Sequence, residues 1–196
     1  FSSLVLKKIE EVLALNLKVD MIAPSHGVIW RQDPLQIVRK YQEWAQEEPE
    51  NSAVIIYDTM WEGTRLMAEA IGSGLAASGI PYKVFHAAMS DRNDLLTEVF
   101  RAKAVIVGSP TFNQGVLPTI TPVLEDLRGL RFQNKIGAAF GAYGWSGEAV
   151  KIIEEHLGSC KIPVVAEGVR AKWQPRPEDL TMCRELGEKV ARAINA

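Results

Sequence analysis

The sequence AVIIYDTMWEGTRLMAEAIGSGL, residues 53–75, joins a short apolar run to an amphipathic segment through a polar loop. The run at 53–57 predicts a buried strand. After the loop at 58–64, apolar residues recur at the spacing of one helix face, namely Leu66, Met67, Ala70, Ile71 and Leu75. A strand that passes directly into a helix is the repeating unit of a parallel α/β sheet.

This alternation of strand and helix continues through the rest of the chain. Five apolar runs predict strands, at 53–57, 82–87, 104–108, 136–141 and 164–168. Their nearly continuous apolar character is typical of strands that are covered on both faces. The predicted fold class is therefore α/β, with a doubly wound five-stranded parallel sheet of order 2-1-3-4-5.

A shorter segment precedes this sheet. Its pattern predicts a helix, a short strand at 19–23, the loop Pro24-Ser25-His26-Gly27 and a second helix that opens near Pro34, followed by a polar linker at 47–51. So few elements bury too little surface to fold alone. We therefore predict that residues 1–48 are the α/β tail of another domain and that 49–196 are the main domain. Because the chain starts at Phe1 without Met, we expect it to be a piece of a longer polypeptide.

Composition argues against several classes of function. The chain is 47% apolar and 23% charged, as soluble globular proteins are, and its net charge of -2 predicts no basic face for nucleic acid. No apolar run is long enough to span a bilayer, and no signal-peptide pattern is present. We expect a cytoplasmic protein with no nucleic-acid or membrane partner. Cys160 and Cys183 match no metal or redox spacing and are predicted to be buried free thiols.

The loop at 58–64 is a candidate anion site. In doubly wound sheets, ligands collect at the carboxyl ends of the strands where the strand order reverses. This loop leads into a helix N-terminus, whose free N–H groups favour an anion, and Thr59 and Thr64 add hydroxyl donors. A monophosphate can be held in this way without Lys or Arg. Alternatively, Thr59 only caps the helix and Trp61 covers the sheet edge.

Two further loops at the same edge have features of a site for a flat ring. Pro110 restrains the backbone of loop 109–115, which also offers the aromatic ring of Phe112. Loop 142–148 contains Tyr143 and Trp145 among glycines that let the backbone approach a planar ligand. Together, the three loops predict one site for a planar ring cofactor that carries a single phosphate.

The loop sequences also resemble a known family. The stretches Tyr57-Asp58-Thr59-Met60-Trp61, Ser109-Pro110-Thr111-Phe112-Asn113 and Tyr143-Gly144-Trp145-Ser146-Gly147 are similar to the flavodoxin-like half of flavodiiron proteins, or A-type flavoproteins, which include the rubredoxin:oxygen oxidoreductases. The resemblance covers the whole chain, and 1–48 is similar to the end of the preceding metallo-β-lactamase-like domain. It implies a flavodoxin-like domain that binds flavin mononucleotide (FMN), with a di-iron centre in the intact protein.

The function implied by this resemblance is electron transfer within an oxidoreductase. The intact enzyme would reduce dioxygen to water, nitric oxide to nitrous oxide, or both, with electrons from rubredoxin or a similar donor, as a homodimer or tetramer. One alternative is a freestanding electron carrier or an FMN-dependent quinone reductase. Another is a signalling receiver domain without flavin, although a receiver needs clustered carboxylates and the first strand is followed only by Asp58.

The resemblance also implies the site residues, none of them catalytic. The cofactor-binding candidates are Thr59, Met60, Trp61, Glu62, Gly63, Thr64, Ser109, Pro110, Thr111, Phe112, Asn113, Gln114, Ala142, Tyr143, Gly144, Trp145, Ser146 and Gly147. His26 matches the last histidine ligand of the iron pair, but the family's His-x-Glu-x-Asp-His segment is absent here, so we expect His26 to bind iron only in the intact protein. The usual Gly-Asn before the closing Thr of the phosphate loop reads Glu62-Gly63 here, and the Glu62 carboxylate is expected to point to solvent, away from a phosphate.

Overall fold

The computed structural model describes residues 2–46 and 48–196. Phe1 and Glu47, the latter in the predicted linker, lie outside the described residues. The chain divides into two compact units, Phe1–Glu48 and Pro49–Ala196.

The first unit contains two helices, α1 (Ser2–Ala14) and α2 (Leu35–Ala45). The strand predicted at 19–23 is not formed. Ile22 instead makes a single antiparallel bridge with Trp30, with N···O distances of 3.0 and 2.9 Å. A strand needs a partner along its whole length, and the described residues of this unit supply one only at Ile22.

The second unit alternates strands and helices, as predicted. Its elements are β1 (Glu50–Tyr57), α3 (Gly63–Ala77), β2 (Tyr82–His86), α4 (Arg92–Arg101), β3 (Ala102–Gly108), α5 (Thr121–Leu130), β4 (Ile136–Tyr143), α6 (Glu148–Ser159), β5 (Val169–Lys172) and α7 (Pro177–Asn195). The strands form one parallel sheet of order β2-β1-β3-β4-β5, which confirms the predicted fold class.

Two details of the strand prediction are wrong. β1 begins at Glu50, so Glu50 and Asn51 belong to the sheet and not to the linker. The fifth strand is Val169–Lys172 and not 164–168. Val164 makes only an isolated parallel bridge with Gly137, after which the chain leaves the ladder and the Gly168 N–H donates to Glu154 Oε1 at 2.8 Å.

The sheet lies between two helical layers. One face packs against α3 and α7 and the other against α4, α5 and α6, so the side chains of β1 alternate between two apolar clusters. β1, β3 and β4 are largely buried, as predicted. β2 is different, because the side chains of Tyr82, Lys83 and Val84 are exposed at the edge of the sheet.

Helices α3 and α7 cross at two glycines. A methyl group added to Gly74 would overlap the carbonyl of Arg184, and one added to Gly187 would overlap the carbonyl of Ile71. The two backbones are therefore in direct contact at the crossing. This contact holds α3, whose N-terminus faces the carboxyl edge of the sheet, against the C-terminal helix.

Candidate functional site

The three predicted loops meet at the carboxyl edge of the sheet and enclose a cleft of about 810 Å³. The structure thus brings together segments that are far apart in sequence. The cleft is lined by Thr59, Met60, Trp61, Gly63, Thr64, Pro110, Thr111, Phe112, Asn113, Gln114, Ala142, Tyr143, Gly144, Trp145, Ser146, Trp173 and Gln174. None of these described lining residues carries a formal charge at neutral pH.

One end of the cleft offers unpaired hydrogen-bond donors. The hydroxyls of Thr59 and Thr64 are buried there, and neither has a hydrogen-bond partner among the described residues. Helix α3 begins beside them at Gly63. The Leu66 N–H donates to the Glu62 carbonyl, so the N–H groups before it in the helix have no acceptor within the helix and can face a ligand. Buried hydroxyls without partners are costly unless a ligand satisfies them. This end therefore fits a phosphate group.

Exposed aromatic rings also line the cleft. The side chains of Trp61 and Trp145 are 79% and 86% exposed, although such large apolar groups are normally buried. Tyr143 and Phe112 complete the lining on the side of β4 and of loop 109–115. Exposed rings beside a cleft supply stacking faces for a planar aromatic ligand.

Loop 109–115 is held in place by hydrogen bonds to residues at the two ends of the neighbouring loop. The Thr111 N–H donates to the Ala142 carbonyl at 2.9 Å, and Thr111 Oγ1 accepts from the Ala149 N–H at 3.2 Å. Asn113 and Gln114, at the tip of the loop, both have positive φ angles. The loop is therefore tied to the neighbouring loop at 142–148.

Three of the predicted site residues do not line the cleft. Ser109 is fully buried, where its Oγ donates to the Pro110 carbonyl and accepts from the Leu117 N–H, so it braces the loop from behind. Gly147, with a φ of 83°, is the N-cap of α6 and lies against the Tyr143 ring. Glu62 is exposed and pairs with Arg65, and its φ of 65° is left-handed.

Two residues that line the cleft were missed by the sequence analysis. Trp173 and Gln174 follow β5 directly and close the cleft from a fourth side. The signal was present in the sequence, because an aromatic residue just after a strand at this edge is a candidate site residue. It was overlooked because the fifth strand was predicted five residues too early.

The carboxylate of Asp58 lies behind the phosphate end and is fully engaged. It accepts hydrogen bonds from the Thr59 N–H at 2.7 Å, from Thr119 Oγ1, and from His86 Nε2, which lies at 2.8 Å. The His86 ring also stacks on Tyr57, with the ring centroids 5.1 Å apart. An occupied carboxylate is a poor magnesium ligand, which argues against the receiver alternative.

The described residues contain no cluster of three or more His, Cys, Asp or Glu side chains that could hold a metal ion. His26 is exposed, and its Nδ1 lies 3.1 Å from Ser25 Oγ. His156 Nε2 lies 2.7 Å from the Leu124 carbonyl, which is a packing role. Both cysteines are buried free thiols, as predicted. None of the described helices is both long and apolar enough to cross a membrane.

These observations define a class of protein, namely a doubly wound α/β domain with a cleft for a planar cofactor that carries one phosphate. The same conclusion comes from comparison with known proteins. The flavodoxin family profile matches residues 55–187, and the chain belongs to the flavodoxin family. A flavodoxin domain binds FMN, and the unpaired hydroxyls and exposed rings of the cleft fit the two ends of that molecule.

Longer proteins show strong similarity over nearly the whole chain. A nitric oxide reductase from Moorella thermoacetica is 51% identical over 99% of this chain and 49% of its own length. An anaerobic nitric oxide reductase flavorubredoxin from Escherichia coli O1:K1 is 46% identical over 98% of this chain and 40% of its own. The structure of the rubredoxin oxygen:oxidoreductase from Desulfovibrio gigas superimposes with a TM-score of 0.93 at 37% identity, over 99% of this chain and 49% of that one. The chain thus spans only half or less of the length of these relatives.

Proposed function

We propose that this chain is the FMN-binding electron-transfer part of a flavodiiron oxidoreductase that reduces nitric oxide to nitrous oxide, dioxygen to water, or both. The observation that carries the proposal is the similarity that extends over both units of the chain, including residues 1–48, which a simple flavodoxin does not need. The cleft supports it independently through its unpaired donors and exposed rings.

The residues of the cleft bind and orient the cofactor. Thr59, Thr64 and the first N–H groups of α3 would hold the phosphate, while Trp61, Tyr143 and Trp145 would flank the ring. When bound, FMN supplies one-electron and two-electron transfer. Because no charged side chain lines the cleft, negative charge added to the ring meets only loop dipoles. We therefore expect both flavin potentials to lie below those of free FMN, which a redox titration measures.

Residues 1–48 are proposed to be the C-terminal tail of a metallo-β-lactamase-like domain. Exposed apolar side chains on this unit, including Leu4, Val12, Leu15 and Leu17, support a packing partner outside the described residues. Within that domain His26 would be one of several iron ligands. This assignment is tested in the full-length polypeptide, where His26→Ala should lower the iron content, whereas His156→Ala should leave it unchanged.

The proposed donor is rubredoxin or a similar small electron carrier, and the proposed assembly is a homodimer or tetramer in the cytoplasm. The test begins with a titration of the purified chain with FMN, which should give saturable, one-to-one binding. Anaerobic mixing of the FMN-loaded chain with reduced rubredoxin should then bleach the flavin absorption.

Each outcome of this test has a definite meaning. A chain that does not bind FMN would contradict the whole proposal. The quinone reductase alternative would be favoured if the FMN-loaded chain accepts electrons from a nicotinamide cofactor, but not from rubredoxin, and passes them to quinones. In the full-length polypeptide, consumption of nitric oxide or dioxygen should require both FMN and iron.

A further inference from the structure

We propose that the loop between β5 and α7, residues 173–175, is a fourth cofactor-binding element, here called the strap. In this element Trp173 positions Trp145 beside the flavin ring, and Gln174 fixes the phosphate loop. The inference rests on the proposed function only in taking FMN as the ligand. It adds a binding element beyond the three loops that the sequence identified.

Trp173 has an unusual backbone conformation beside the cleft. Its φ of 61° is left-handed, which is rare for a bulky residue. Its N–H donates to the Tyr143 carbonyl at 2.7 Å and so continues the hydrogen bonds between β4 and β5. This conformation turns the indole over the cleft, where it lines the wall and yet stays 59% exposed.

The indole of Trp173 limits where Trp145 can lie. The two rings meet edge to face, with centroids 5.2 Å apart and an interplanar angle of 71°. Trp173 also covers Gly144, where an added methyl group would lie 3.0 Å from the ring. Trp145 is 86% exposed, so Trp173 is the aromatic neighbour that can hold it in one orientation. Trp173 therefore acts on the flavin ring through Trp145.

Gln174 contacts the loop that leads into α3. Its Nε2 donates to the Trp61 carbonyl at 2.5 Å. Because the peptide bond is planar, this contact fixes the plane of the peptide that joins Trp61 to Glu62, the residue from which α3 starts. Pro175 and the Trp173 carbonyl also lie close to Gly63, each 3.4 Å from where its Cβ would be. The strap thus packs against the helix N-terminus that would hold the phosphate.

FMN and riboflavin separate these two roles, because riboflavin has the same ring system but no phosphate. The experiment measures the affinities of the wild-type chain and its variants for both ligands by quenching of flavin fluorescence. Trp173→Ala should weaken both ligands by the same factor, about three- to tenfold, the size expected for an edge-to-face aromatic pair. Trp173→Phe keeps an aromatic edge and should restore most of the affinity.

Gln174→Ala should weaken FMN about three- to tenfold and riboflavin less, because the peptide that it holds leads into the start of α3, while the Trp61 side chain flanks the ring. The matched control is Gln133→Ala, since Gln133 Nε2 also donates to a backbone carbonyl, that of Arg131, at 2.7 Å. For Trp173 the control is Trp44→Ala, another exposed tryptophan, which lies in the first unit. Neither control should change either affinity.

The outcomes distinguish this inference from the proposed function. If the wild-type chain does not bind FMN, the proposed function is contradicted. If the wild type binds and Trp173→Ala binds both ligands equally well, the role of the strap at the ring end is overturned. Equal losses of FMN and riboflavin in Gln174→Ala would overturn its role at the phosphate end. Should Trp173→Ala fail to fold, Trp173→Leu keeps the bulk without the ring and must show the same parallel loss.

Discussion

Replacing Thr64 by Val should have opposite effects on the free chain and on the FMN complex. The Thr64 hydroxyl is buried at the start of α3 with no partner among the described residues. Leaving a buried hydroxyl unpaired costs about 1–3 kcal/mol. Val has nearly the same shape and the same branching at Cβ, so it removes this cost without opening a cavity. We expect the free chain to gain about 1 kcal/mol in the free energy of unfolding, which is about 2–4 °C in Tm for a chain of this size.

In the FMN complex, the loss of binding free energy should exceed the stability that the substitution adds to the free chain. A hydrogen bond to a charged phosphate contributes about 1.5–3 kcal/mol, so Thr64→Val should weaken FMN binding by about 10- to 150-fold. Thermal unfolding with and without FMN therefore gives a crossing result. The variant melts above the wild type when free and below it when FMN is saturating for the wild type. Riboflavin affinity should not change.

Thr181→Val is the matched control for this experiment. Thr181 is exposed one turn into α7, and its hydroxyl donates to the Pro177 carbonyl at 3.0 Å. This substitution should leave both flavin affinities unchanged. The reasoning fails if Thr64→Val binds FMN as tightly as the wild type, if riboflavin affinity falls in parallel with FMN affinity, or if the free variant is less stable than the wild type.

Three further predictions concern the stability and reactivity of the second unit. Glu62→Gly should raise the free energy of unfolding in urea by up to about 1 kcal/mol, because glycine relieves the left-handed φ of 65° and the lost pair with Arg65 is exposed; a decrease would contradict this account. Burial lowers the pKa of Lys135 to about 8, and the opposing effect of Glu50 is smaller. The charged amine therefore destabilises the folded chain below pH 8, and stability rises between pH 8 and the ordinary lysine pKa of 10.5. Relative to Lys135→Met, the wild type should therefore gain up to about 1.4 kcal/mol per pH unit in denaturation series between pH 8 and 10, and parallel curves would refute the shift. Burial also raises the pKa of Cys183 to about 12, so mass spectrometry should find this thiol unmodified by iodoacetamide at pH 8 until the chain unfolds; rapid labelling of the native chain would show that the thiol is accessible.

The central strands could be predicted from the sequence because composition alone marks them. β1, β3 and β4 are buried on both faces, so each is an apolar run. β5 reads Val-Arg-Ala-Lys and alternates between buried and exposed positions, which leaves no such run. The residues just before it, Ile162 to Val165, are more apolar, so the fifth strand was predicted at 164–168 and not at Val169–Lys172. Only the hydrogen bonds to β4 fix where the edge strand lies.

The candidate site could be predicted to a similar extent, and for a related reason. The loops after β1, β3 and β4 could be located because their strands were correctly identified and because parallel strands end at the same edge. Trp173 and Gln174 were not found because the strand before them was predicted too early, and their contacts with Trp145 and Trp61 form only when the chain folds. Ser109 shows the opposite error, because a residue in a binding loop can serve the loop itself.

The glycine crossing of α3 and α7 has a consequence for how the chain acquires its cofactor. The apolar face of α3, with Met67, Ile71 and Leu75, is covered by α7, which follows every other element of the sheet and its layers in the sequence. During synthesis, the apolar face of α3 therefore stays uncovered until α7 has been made. This is the helix whose N-terminus would face the phosphate. FMN binding is therefore expected to depend on the docking of α7, and variants that slow this docking should accumulate as colourless protein.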